Sequence, residues 1–108
     1  MSIREIAEGT QYIGVDERPI LALTTTNWGS SPTLPVITAW KYLASTGSWS
    51  GMTSTCFPSG TGTTISSNTI TMQNPFTPQT IGDVMRIEFK FTVSGSILEA
   101  FANVIIER

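Results

Sequence analysis

Histidine is missing altogether from these 108 residues, and cysteine occurs once. Without histidine there is no usual general base near neutral pH, no imidazole metal ligand and no Ser-His-Asp arrangement. A single cysteine, Cys56, rules out an intrachain disulfide and a thiolate zinc site. With neither a histidine nor a nearby cation to lower its pKa, Cys56 reads as a small packing residue. Charge is scarce as well, at 13% of residues and a net −2, so no basic patch awaits a phosphate backbone and nucleic acid is not an expected partner. No apolar run approaches the roughly eighteen residues that cross a bilayer, and no membrane partner is expected. Arg4, Glu5 and Glu8 in the first turns break any signal-peptide pattern, which points to synthesis in the cytoplasm.

Chemistry-bearing clusters are equally thin. Asp16 and Glu17 are neighbours in an extended segment and point to opposite faces, so they do not converge as a catalytic pair. A calcium site built on Asp16, Glu17 or Asp83 lacks the carboxylate density that such sites carry. Gly60-Thr61-Gly62 has neither the third glycine nor the lysine of a phosphate loop. The expectation is a protein that is not an enzyme, with no catalytic residues, no cofactor and no metal.

What the chain does have is alternation. From Met85 to Val93 the odd positions are apolar and Arg86, Glu88, Lys90 and Thr92 lie between them, the period-2 signature of a half-buried strand. After Ser94-Gly95-Ser96 the apolar parity moves to Leu98, Ala100, Ala102, Val104 and Ile106. A two-residue loop at Gly95-Ser96 pairs Val93 with Leu98 and Phe89 with Ala102, and a loop at Ser94-Gly95 preserves the same parity. Upstream, Gln11–Val15 reads as a short edge strand and Ile20–Thr26 as a strand in a central position. Val36–Ala44 places Val36, Trp40, Tyr42 and Ala44 on one face and Ile37, Ala39, Lys41 and Leu43 on the other, with Trp40 the candidate core aromatic. A turn at Thr46-Gly47-Ser48 precedes a short strand near Trp49, and Ile65–Met72 reads as one strand. The fold class is all-β, an immunoglobulin-like β-sandwich of six or seven antiparallel strands with a C-terminal hairpin and a short N-terminal arm. Residues 1–9 form the arm, with Ile3 and Ile6 on one side of a possible helical turn. Residues 10–108 form a single sandwich domain.

Large apolar side chains in segments without strand character must cap the core, meet a partner or hold a ligand. Trp28, Trp49, Phe57 and Phe76 are of this kind. Phe101 and Ile105 lie on the parity opposite the core face of the last strand. With Ile3 and Ile6 they make up the candidate partner interface. Trp28 and Trp49 also suit a second reading, a carbohydrate-binding or host-attachment module that stacks aromatics on sugar.

The run NWGSSPT, the strand with Trp40, then TGSWSGMT, SSNTITM and TIGDVMRIEFKFTVSGSILEAFANVIIER together resemble small immunoglobulin-like virion structural proteins of tailed bacteriophages and prophages. The likeness covers most of the chain after residue 15 and is densest in the last hairpin, with acids at Glu99 and Glu107. Met85 stands where many related sandwiches carry a tyrosine corner. The resemblance implies a non-enzymatic capsid cement or decoration protein that binds and stabilises the assembled head. A neck or head-completion subunit is the alternative. It further implies the major capsid protein or other virion proteins as partners, a homo-oligomer or lattice-bound multimer, and a place in the virion after assembly in the host cytoplasm.

Overall fold

The computed structural model describes residues 3–5, 9–26 and 28–108, and of residues 3–5 the backbone alone. Among the described residues, two sheets are built from nine strands, and the architecture is all-β apart from one helical turn. In chain order the elements are β1 (Ile3–Glu5), β2 (Gln11–Gly14), β3 (Ala22–Thr24), β4 (Thr33–Leu43), β5 (Ser48–Gly51), α1 (Thr53–Cys56), β6 (Thr63–Ser66), β7 (Thr69–Met72), β8 (Val84–Val93) and β9 (Ser96–Glu107). The larger sheet runs β1-β9-β8-β4-β5, with β2 also on β9, and the smaller runs β3-β7-β6. The strands outnumber the six or seven expected, and they are not all antiparallel. Both β1 and β2 lie parallel to β9, along one edge of it.

The alternation in β8 and β9 does what it predicts. Met85, Ile87, Phe89, Phe91 and Val93 face inward with Ala100, Val104 and Ile106 beside them, all nearly inaccessible. The loop is Ser94-Gly95, the second of the two registers that keep parity: Val93 pairs with Ser96, Phe91 with Leu98 and Phe89 with Ala100. Both loop residues have positive φ, 49° and 81°, the type I′ geometry whose twist matches that of the strands.

Several expectations change. Ile65–Met72 is not one strand but a hairpin, β6 and β7, turned at Ser67-Asn68 with Ser67 at φ 52°. The strand predicted over Ile20–Thr26 shrinks to β3 and lies at an edge, because only Leu23 faces the core while Ala22 and Thr24 stay exposed. Trp40 is on the outer face of β4, and the inward residues are Ile37 and Ala39. Strand pairing sets this: Trp40 stands opposite Arg86 and Gly51 on the outer row, while the Ala39 carbonyl accepts the Met52 N–H and the Ala39 N–H donates to Thr53 Oγ1 on the β5 side of β4.

The core-facing parity of β4 ends on a charge. Lys41 forms an ion pair with the buried Asp83 at 3.3 Å, and that carboxylate also accepts the Thr80 N–H. At the other end of the core, Gly29 brings the chain against β8: a Cβ there would collide with Val93 Cγ1. This close approach seats the neighbouring Trp28 on Phe91, with ring centroids 6.1 Å apart.

The two outer surfaces differ in kind. On the smaller sheet the outward residues are Ala22, Thr24, Thr64, Ser66, Thr69 and Thr71, small groups that water satisfies, with Thr24 and Thr69 hydroxyls 3.4 Å apart. On the larger sheet the outward residues are mostly large.

Candidate functional site

The outer face of the larger sheet collects the even residues of β4 from Val36 onward, past the register shift near its start, the even residues of β8, the odd residues of β9, and Trp49 of β5. Register follows from the pairings Tyr42 with Trp49, Trp40 with Arg86, and Arg86 with Asn103. Because side chains on a strand alternate, everything on these rows must lie on the face away from the core. Tyr42 and Trp49 meet at 5.3 Å with their planes 59° apart.

Arg86 organises the centre. Its guanidinium carbon stands 4.8 Å from the Trp49 ring centroid and 4.2 Å from that of Phe101. It therefore bridges rings that project from β5 and β9, the strands two removed and adjacent. Its Nε donates to Asn103 Oδ1 at 3.3 Å, which fixes the plane of the group. A guanidinium so placed is attracted by both ring quadrupoles and retains further N–H donors for a partner carboxylate or carbonyl. Trp40 lies over Gly51 and ties its indole N–H to Thr38 Oγ1. Ile105 is half-buried beside the exposed Tyr12, its register partner on β2.

Of the sequence-predicted residues, the fold brings Trp49, Phe101 and Ile105 onto this one face. It separates the others. Phe57 and Phe76 are core residues in edge-to-face contact at 5.7 Å and leave no surface for a partner. They cap the sandwich beside α1. Trp28 is half-buried on the inner side, against Phe91. The backbone of Ile3 pairs with Glu99, and Ile6 lies outside the described residues. Trp40, Tyr42, Tyr12 and Arg86 were not foreseen as part of the site. The available signal was that both parities of Val36–Ala44 carry apolar residues, as in a strand with two faces to cover.

No protein-family model matches this chain, nor does any curated protein or solved structure.

Two further carboxylates are already engaged. Asp83 is held by Lys41 and Thr80, and Glu17 Oε1 accepts the Gly14 N–H. Among the described residues, no three acids or cysteines converge on a metal position. Burial, and after it the Asp83 charge, pushes the Cys56 thiol from 9.0 up to about 11, so it stays protonated and inert near neutral pH.

Proposed function

We propose that this chain is a non-enzymatic structural subunit that attaches to a protein surface through the outer face of its larger sheet, and that its setting is the virion of a tailed phage, as a capsid decoration protein. In this reading the sandwich is immunoglobulin-like, and assembly takes place in the host cytoplasm. The observation that carries the docking role is the cluster Tyr42, Trp49, Arg86 and Phe101 on a sheet face over which, among the described residues, no other element packs. Aromatic residues and arginine are the types that dominate buried interface centres, and lone exposed lysines are not. Five strands abreast by the length of β8 bound roughly 800 Å², only partly filled because β1, β2 and β5 are short, so the face is at most about the ~800 Å² per partner of a standard interface.

The virion setting rests on the resemblance in the terminal hairpin and on the compatibility of an open, low-charge face with repeated docking. A subunit that binds only the assembled shell stabilises it by mass action, and many equivalent positions multiply a modest contact. A neck position uses the same face and differs only in copy number. The Tyr42–Trp49 pair also favours a second reading, sugar stacking, because its rings are partly open to solvent. Co-sedimentation with assembled heads of a phage that carries this gene, run beside a glycan array, separates the two. Saturating co-sedimentation without a glycan signal is the expected outcome. A glycan signal that Trp49→Ala removes, with no head binding, overturns the docking reading.

A further inference from the structure

Between the two sheets lies a cleft of about 500 Å³ whose lining includes Leu21, Leu23, Trp28, Ile87, Phe89 and Val104. One wall is the edge strand β3, all three residues of which line it, and the facing wall is β2. Pro19 and Glu17 border it before β3, and Trp28 borders it after.

The β3 edge is open in a specific way. Leu21 accepts from Met72 and the Thr25 N–H donates to Asn68, so Leu21, Leu23 and Thr25 direct their peptide groups to β7. By the two-residue period of a ladder, the N–H and C=O of Ala22 and Thr24 point the other way, and among the described residues no backbone group meets them. Both residues are exposed. An apolar trough beside an unpaired strand edge matches the requirements of an extended chain: the edge supplies main-chain hydrogen bonds, and the trough takes alternate side chains.

We propose that this cleft receives an extended segment of another polypeptide, added as a fourth strand to β3 with its alternate apolar side chains on Leu23, Trp28 and Phe89. A small apolar molecule would fill the trough but leave the Ala22 and Thr24 groups to water, which is why the peptide is the better occupant. Among the described residues, Glu17 is the one lining side chain charged at neutral pH, so the segment is neutral or basic at the end nearest Pro19. This inference stands apart from the outer face and survives if that face proves idle.

The test uses the full-length protein and a fluorescently labelled synthetic peptide of about seven residues that alternates Val or Leu with Thr. Saturable anisotropy, with a change in Trp28 emission, is expected. A copy of the peptide N-methylated on alternate amides should bind at least tenfold more weakly, since it keeps the side chains and loses the donors. Thr24→Pro, which removes an N–H that β7 does not use, should weaken the parent peptide to a similar degree. Absence of saturable binding overturns the proposal. Equal binding of the parent and N-methylated peptides also overturns it and makes the cleft a site for apolar small molecules.

Discussion

Removing the ring of Phe91 tests the packing at its most constrained point. The side chain is 1% exposed, on a strand flanked by β4 and β9, and it carries Trp28 at 6.1 Å with planes 27° apart. Truncating a buried phenylalanine to alanine costs about 3–5 kcal/mol, and the spread depends on how far the surroundings collapse into the space. Here collapse is limited on two sides by backbone ladders, so Phe91→Ala should fall in the upper half of that range. For a domain of ordinary stability, about 5–15 kcal/mol, this is roughly a quarter or more of the total. With a urea m-value of about 1–3 kcal/mol/M the midpoint should drop by on the order of 2 M. The exposed neighbour Lys90 supplies the control, as Lys90→Ala should stay within about 0.5 kcal/mol. In a double-mutant cycle, Trp28→Ala and Phe91→Ala should couple by about 0.5–1.5 kcal/mol. Equal losses at Phe91 and Lys90, or a Phe91→Ala loss under about 1 kcal/mol, would refute the inward assignment of β8.

Three further outcomes follow from the polar groups and the N-terminus. Cys56 binds its proton more tightly in the folded chain than in the unfolded one. Its contribution to stability is therefore present below pH 9.0 and lost as pH rises towards about 11; a Cys56→Ser variant should lack this alkaline loss in denaturation series. Asp83→Ala leaves Lys41 without its counter-ion and the Thr80 N–H without an acceptor, at a cost of about 1–3 kcal/mol. Asp83→Asn keeps that acceptor and should cost less, while lowering the Cys56 pKa because the Asp83 charge helps raise it; the ultraviolet absorbance of the thiolate in an alkaline titration, which needs no reagent to reach the core, reads the second effect. Deleting Met1–Gly9 leaves the β4-β8-β9 centre intact, so a thermal melt should remain cooperative; a non-cooperative melt would mean that the β1 pairing to β9 is part of the core.

The terminal hairpin was legible because parity is a strict constraint. Any loop that kept Phe89 and Ala100 on one side had to be one of two, and a positive φ at both loop positions, eased by Gly95, selects between them. The hairpin at Ser67-Asn68 gave no such sign, since serine there takes a left-handed conformation without a glycine or proline to mark it. Trp40 misled for another reason. Size suggests burial, but the pairing of Trp40 with Arg86 and Gly51 sets it on the outer row, a relation between distant segments that periodicity does not encode. The same limit applies to the site. Arg86 reads as one polar residue in an alternating strand, and only the pairing of β8 with β4 and β9 brings Trp49 and Phe101 around it. Phe57 and Phe76 looked like loop aromatics because α1 is a single turn; three-dimensional closure turns them into core.

The proposed attachment of one sheet face to a protein lattice is separated from non-specific adhesion by a paired substitution on each outer face. Trp49→Ala with Phe101→Ala alters the aromatic face, and Thr64→Ala with Thr71→Ala alters the hydroxyl face, each on exposed or half-buried positions away from the core. The measurement is copies bound per assembled head as a function of free subunit concentration. Loss of two hot-spot side chains, at about 2 kcal/mol each, should weaken attachment by at least a hundredfold, and the threonine pair should leave it unchanged. Undiminished binding of the aromatic pair, or an equal loss from the threonine pair, would contradict the account.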